Sequence, residues 1–279
     1  MLNINKMFCN GTIITCGDNV TIINGKVVNG NSVVPGNNIQ KEVDQEKIVK
    51  FTSALHQIEI AASWADVFII EEERSDIKVH LCGKFSSYPE INPILVVNEL
   101  DDTLVIRVKQ DADSISISNS SVKLNVYVPK NFSRNIYVET NSGDMYTSKM
   151  ELNTLHFTSA SGDFKADSLV ANVSIKTASG DARLKNFSGS FSMNSMSGDA
   201  NLSYKIFNSD IQINTMSGDL KITLPENAEF RVNASTMTGE FECEFPIKLS
   251  GRHNGSVGKN PHHQIILRTM SGDIELNSK

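Results

Sequence analysis

Along residues 133–279, apolar and polar side chains alternate in short bursts on both sides of a small polar turn, and the burst recurs. Six residues before each turn stand Ile136, Leu155, Val173, Phe191, Ile211, Val232 and Ile265; four before it stand Val138, Phe157, Ile175, Met193, Ile213, Ala234 and Leu267. Two before it there is always a hydroxyl: Thr140, Ser159, Thr177, Ser195, Thr215, Thr236 or Thr269. Beyond the turn come Met145, Phe164, Ala182, Ala200, Leu220, Phe241 and Ile274, and two residues later Thr147, Ala166, Leu184, Leu202, Ile222, Cys243 and Leu276. Period-two alternation is the mark of a strand with one buried face, so each unit predicts two strands joined at a corner.

The corner itself is a repeated triplet, Ser-Gly-Asp, with one Thr-Gly-Glu variant. Its conformation-setting residues are Gly143 and Asp144, Gly162 and Asp163, Gly180 and Asp181, Gly198 and Asp199, Gly218 and Asp219, Gly239 and Glu240, and Gly272 and Asp273. Successive triplets are 19, 18, 18, 20, 21 and 33 residues apart. A unit of about twenty residues cannot bury its apolar face alone and must stack on its neighbours. Parallel stacking at about 4.8 Å places equivalent residues in ladders, apolar ones inside. The expected fold is all-β: a right-handed parallel β-helix or solenoid with Ser-Gly-Asp turns, preceded by a β-hairpin and irregular β coils. Glycine supplies positive φ at such a corner, and Ser and Asp bond neighbouring amides. The hydroxyl row is expected to hydrogen-bond along itself. A further row, Ala160, Ala178, Met196, Met216, Met237 and Met270, reads as corner packing, with an exposed methionine stripe for a partner as the alternative.

Three segments follow. Residues 1–50 hold an N-terminal hairpin and linker, 51–132 a leading β-strand segment that caps or begins the solenoid, and 133–279 the solenoid with an insertion loop at 245–264. Val20 to Val28 carries Asn24-Gly25 between two apolar runs, a two-residue hairpin signal. Residues 29–38 read as a loop and 40–50 as a charged linker or short helix. The insertion contains Pro246, Gly251, Gly255, Gly258 and Pro261 and is expected to project.

Composition narrows the functional classes. A net charge of −6 without a basic stripe argues against nucleic acid as partner. No apolar run is long enough for a membrane span, and Met1 to Asn10 lacks a signal-peptide core, so a cytoplasmic location is the sequence-level expectation. Cys9, Cys16, Cys82 and Cys243 are scattered and read as free thiols. No metal, cofactor or catalytic group is expected. His80 and Cys82 share a strand face, which admits a nucleophile pair but reads more simply as ordinary strand. His253, His262 and His263 lie in the insertion without a carboxylate at metal-site spacing. The stacked acidic residues read as turn chemistry, with a calcium-binding ladder as the alternative.

The Thr-x-Ser-Gly-Asp units, the strands Ala65-Asp66-Val67-Phe68-Ile69-Ile70 and Leu104-Val105-Ile106-Arg107-Val108, and the hairpin Ile22-Ile23-Asn24-Gly25-Lys26-Val27-Val28 carry a resemblance. From about Phe51 onward the chain resembles the bacterial putative-adhesin β-strand-repeat family, a domain of unknown function. The resemblance implies a right-handed β-helix, no catalytic residues, and a place at the cell envelope for many relatives. The reading that results is a non-catalytic structural or interaction scaffold that binds a protein, a glycan or itself. Self-association is expected through the C-terminal end coil, because the chain stops six residues after Asp273. The alternatives are a polysaccharide lyase or hydrolase built on a β-helix, whose cleft the 245–264 insertion would wall, and a calcium-binding repeat protein.

Overall fold

The structure, a computed structural model, describes residues 5–9, 12–16, 20–23, 26–29, 40–88, 90–110, 116–118, 120–130, 132–249, 251 and 253–279. It forms two compact units, residues 1–41 and 42–279. In the first, Asn5–Cys9 pairs antiparallel with Thr12–Cys16, and Val20–Ile23 with Lys26–Asn29. Ile23 faces Lys26, the register of a two-residue hairpin. The loop expected after Asn29 and the side chains of Cys9 and Cys16 lie outside the described residues.

The second unit is built of strands, with no helix among the described residues. Each rung contributes one strand to each of two facing sheets. In the first sheet the parallel order is Thr103–Lys109, Gln57–Ala61, Asn135–Glu139, the far halves of Met145–Ser159 and Phe164–Ser179, Phe191–Ser197, Ile211–Asn214, His263–Arg268 and Phe230–Ser235. In the second it is Lys123–Pro129, Asp66–Glu72, the near halves of the same two long strands, Ala182–Ser188, Ala200–Ile206, Leu220–Leu224, Ile274–Ser278 and Phe241–Cys243. The long strands cross between sheets at a second corner, where Lys149 and Ser168 adopt φ of 52° and 56°, and Asn186 takes φ 51° on the next rung.

The apolar ladders fall in register. Ile136 faces Leu155, then Val173, Phe191, Ile211 and Ile265, each at most 3% exposed. Across the interior, Phe164, Ala182, Ala200, Leu220 and Ile274 form the opposing ladder at no more than 1% exposure. Stacking hides what one rung could not, and the ladders together make one continuous core.

Three expectations need correction. Lys41–Lys50 is a strand, not a linker or helix. It joins Asp76–Tyr88, with Asp44 2.7 Å from His80 and Glu46 3.3 Å from Lys78. Glu42, Asp44, Glu46 and Lys50 are outward members of a period-two pattern whose inward member, Val43, is buried. The 245–264 insertion does not project. Lys248–Leu249 and Asn254–Val257 fold into an antiparallel pair that hydrogen-bonds to Phe230–Ser235, covering the sheet edge while Phe245 and Val257 enter the core. The C-terminal coil is not an end coil. His263–Arg268 lies between Ile211–Asn214 and Phe230–Ser235, and Ile274–Ser278 between Leu220–Leu224 and Phe241–Cys243. Both edges of its strands are therefore paired, and the end-stacking route to self-association loses its exposed strand.

Candidate functional site

The densest polar arrangement on the rungs is the glycine corner. Consecutive corners approach so closely that side chains have no room: a Cβ on Gly162 would stand 2.1 Å from the carbonyl oxygen of Gly143, and one on Gly180 2.2 Å from that of Gly162. Among the seven corner glycines, positive φ occurs at Gly198, Gly218, Gly239 and Gly272. Close approach, rather than the backbone conformation anticipated from sequence, is thus the requirement that all seven corner glycines share.

Beside the glycines runs a column of carboxylates linked through the backbone. The N–H groups of Asp144, Asp163, Asp181 and Asp199 donate to Oδ1 of Asp66, Asp144, Asp163 and Asp181 at 3.0, 2.9, 3.0 and 2.9 Å. Those of Asp219, Asp273 and Glu240 donate to Asp199, Asp219 and Asp273, each at 2.9 Å. Like charges at rung spacing repel by about 1 kcal/mol in water, and a charge-assisted amide bond of about 1.5–3 kcal/mol at every step opposes that. Asp66 belongs to this column although its corner, Ser63-Trp64-Ala65-Asp66, lacks the glycine that marks the others; the apolar positions Ile58, Ile60, Val67 and Ile69 around it were the signal. The hydroxyl row behaves differently from expectation. Only Thr140 and Ser159 bond each other, at 3.0 Å; Ser195, Thr215 and Thr269 turn to the corner carbonyls of Ser197, Ser217 and Ser271 at 3.0, 3.1 and 3.0 Å.

Ion pairs reach three consecutive members of the column, Asp144, Asp163 and Asp181. Lys165 Nζ lies 3.2 Å from both Asp144 and Asp163, and Arg183 lies 3.4 Å from Asp163 and 2.7 Å from Asp181. Tyr146 donates its hydroxyl to Asp144 at 2.8 Å. Burial works against the Asp144 charge, but the Asp163 amide, Tyr146 and Lys165 outweigh it and bring its pKa below the usual value. Burial likewise opposes the Lys165 charge, and its bonds to Asp144, Asp163 and Tyr146 overcome that, holding the ammonium protonated. At the head of the column, burial raises the Asp66 pKa despite the Asp144 amide. Among the described residues no ion pair reaches Asp199, Asp219, Asp273 or Glu240.

Among the shallow grooves on the outer faces, two run beside stacked rings. One, of about 500 Å³, runs beside Phe68, Tyr146, Lys165, Arg183 and Lys185. Phe68 and Tyr146 stack at 4.6 Å and 8°, with Lys123 5.1 Å above the first ring and Lys165 5.1 Å above the second. The other, of about 400 Å³, is lined by Glu59, Arg107, Tyr137, Glu139 and His156, where Tyr137 and His156 stack at 4.6 Å. Neither column was read from the sequence, yet each consists of outward positions on consecutive rungs.

The remaining sequence candidates separate. His80 turns to Asp44, while Cys82 accepts a 3.5 Å contact from Asn125. Burial and the Asp44 charge raise the Cys82 pKa, the reverse of what an activated nucleophile needs. Cys82 and Cys243 are free thiols. His253 packs 5.5 Å from Phe241, and His263 lies 3.8 Å from Asp210 and 5.7 Å from Phe207. Among the described residues no group of three His, Cys, Asp or Glu side chains could hold a metal ion, and no helix is long and apolar enough to cross a membrane. The methionine row is not packed at the corner: Met196, Met216, Met237 and Met270 are 62%, 51%, 74% and 48% exposed.

The model of the Toastrack DUF4097 family matches residues 55–171 and 91–277. Among solved structures the chain is similar to a putative cell adhesion protein from Clostridium sporogenes, at 13% identity and a TM-score of 0.43, covering 86% of this chain and 100% of that one. It is also similar to a putative adhesin from Bacteroides fragilis (13%, TM-score 0.40, 84% and 97% covered) and one from Parabacteroides distasonis (12%, 0.36, 86% and 98%). No curated protein matches.

Proposed function

Because the chain belongs to the Toastrack DUF4097 family, we propose that it works as a non-catalytic interaction scaffold, a right-handed β-solenoid whose Ser-Gly-Asp turns hold the rungs in register while their outer faces meet a protein or glycan. The observation that carries this reading is how the corner's acidic groups are used. Each carboxylate from Asp66 to Asp273 spends one oxygen on the amide of the next rung, and the Lys165 ammonium is bound between two of them. A general acid or base needs a free proton-transfer position at a suitable pKa, and these groups serve stacking instead.

The polysaccharide-enzyme alternative loses its main support with the insertion, which covers a sheet edge rather than walling a cleft. Incubating the full chain with a panel of acidic and neutral polysaccharides tests the choice. Binding or no interaction, without new reducing ends or unsaturated products, is the expected result; turnover that survives repurification would overturn the proposal. Family resemblance supports action at the cell envelope, and fractionation of the native host checks that placement.

A further inference from the structure

We propose that the exposed methionine row is a binding site for a soft monovalent cation, of which Cu(I) is the biological example and Ag(I) the redox-inert probe. The bridges Ser197–Ser217, Ser217–Ser271 and Thr238–Ser271 fix the spatial order as Met196, Met216, Met270, Met237, which is not the chain order. Backbone bonds join the same rungs: Ser217 N–H to Met196 O at 3.1 Å, Ser271 N–H to Met216 O at 3.0 Å, and Thr238 N–H to Met270 O at 3.0 Å. Four thioethers thus leave the corner from four consecutive rungs, each at least 48% exposed, while Met145, Met150 and Met193 are buried at 0%, 3% and 0%.

Rung spacing suits such an ion. Sulfurs about 4.8 Å apart bracket a cation about 2.4 Å from each, close to the roughly 2.3 Å of a metal–sulfur bond. A two-coordinate S–M–S bridge between adjacent rungs needs no backbone movement, and the rotatable bonds of methionine supply the adjustment. Thioethers select soft ions such as Cu(I), whereas Ca²⁺ and Mg²⁺ require oxygen. Neighbouring hydroxyls do not compete, because Ser195, Thr215 and Thr269 are turned to corner carbonyls. Arg268, two residues before Met270, leans to Asn214 Oδ1 at 3.5 Å.

Charge separates these rungs from the others. Where the row carries Ala160 and Ala178, the corner acids Asp163 and Asp181 are paired with Lys165 and Arg183. Where it carries methionine, the corner acids are Asp199, Asp219, Asp273 and Glu240, which no ion pair reaches among the described residues. Soft ligands and unneutralised carboxylates therefore coincide on the same four rungs, giving a cation both its donors and its counter-charge.

Thiols would outcompete thioethers, so the test uses the full chain with Cys9, Cys16, Cys82 and Cys243 replaced by serine, titrated with Ag(I) and, anaerobically against a competing chelator, with Cu(I). We expect up to two ions per chain, with shifts of the methionine ε-methyl NMR signals confined to Met196, Met216, Met237 and Met270 and none at Met145, Met150 or Met193. The volume-matched variant M196L/M216L/M237L/M270L should bind at least tenfold more weakly, and D199N/D219N a few-fold more weakly. Equal affinity in the leucine variant, stationary signals for the four exposed methyls, or no binding at micromolar ion overturns the proposal. Should the serine chain fail to fold, the same methyl spectra of the native chain, its thiols first saturated with Ag(I), decide by the same criterion.

Discussion

Gly180→Ala isolates the close approach of the corners from backbone strain, since Gly180 has no positive φ. The new methyl would lie 2.2 Å from Gly162 O, 3.0 Å from Gly162 C and 3.0 Å from Thr177 Oγ1. Ordinary contact lies beyond 3.4 Å, so the two rungs must separate by about 1 Å, an overpacking cost of about 1–3 kcal/mol. Separation also stretches the bonds that join these two rungs at the corner: Ser179 N–H to Ala160 O at 2.9 Å and Asp181 N–H to Asp163 Oδ1 at 3.0 Å. Losing one or two of them adds about 1–3 kcal/mol, for a total of about 2–6 kcal/mol. At this size the melting point should fall by roughly 4–24 °C. Gly272→Ala, with the same 2.2 Å contact and φ of 140°, should cost about 1–3 kcal/mol more. Gly251→Ala, where the nearest atom is a side-chain nitrogen at 3.4 Å, should stay within about 0.5 kcal/mol of the parent. Urea unfolding followed by circular dichroism reads all three, with midpoints compared at constant m. If Gly180→Ala unfolds within about 0.5 kcal/mol of the parent, stacking distance is not why glycine occupies the corner.

Four further outcomes are expected. The Tyr204 hydroxyl is buried without a partner, and burial raises its pKa well above the usual value; Tyr204→Phe should stabilise by about 1 kcal/mol in urea, and a loss of similar size would mean the hydroxyl has a partner after all. Asp144 has a lowered pKa, so its contribution is present above its unfolded value of about 3.9 and lost as pH falls through the folded pKa; Asp144→Asn should lower the urea midpoint at pH 7 and leave it less sensitive to acid. Asp66 has a raised pKa, so its contribution is present below the unfolded pKa and lost as pH rises through the folded one; Asp66→Asn, which keeps an acceptor for the Asp144 amide, should raise the midpoint at pH 7, and a fall would refute the burial argument. Cys82 should alkylate with iodoacetamide more slowly than glutathione at pH 7.5, because burial and Asp44 disfavour its thiolate; faster reaction would revive the His80–Cys82 pair.

The repeat was legible because its information is local. Alternation around the triplet identified both ladders of each rung, and the observed register joins the predicted residues, as Phe157 with Ile175 and Ile175 with Met193 show. Features that depend on which rungs meet were not legible. The Phe68–Tyr146 stack unites residues 78 positions apart, and Asp66 enters the carboxylate column only when residues 135–148 settle on 57–72. Lys41–Lys50 was misread because its outward positions are charged and its edge position, Ile48, is 60% exposed, which weakens a two-residue period. The methionine row looked like packing because the sequence does not tell which side of a corner residue faces inward.

The order of the final rungs shows how topology can hide in a spacing. Thr238 and Ser271 are 33 residues apart, and the excess over the other spacings suggested a loop added to a simple stack. Those residues instead build the hairpin on Phe230–Ser235 and return the chain between two rungs already laid down in sequence. The terminus is then fastened there: Lys279 N–H bonds Leu224 O at 3.0 Å, Glu226 N–H bonds Lys279 O at 3.1 Å, and Lys279 Nζ reaches Ser203 Oγ at 2.9 Å. Stacking from Asn135 to Leu224 uses neighbours about twenty residues apart, whereas the inserted rung requires contacts across more than fifty, such as Leu220 with Ile274, and the outermost rung follows across 33, as Phe241 with Ile274; long closures are slow to form. Phe230–Cys243 has no direct strand pairing to Ile211–Leu224, so deleting residues 263–279 should detach it and expose both ladders. Hydrogen exchange on the truncated chain should show 230–257 unprotected while 135–206 stays protected; protection of both would mean the two rungs can stack directly and that the inserted rung is dispensable.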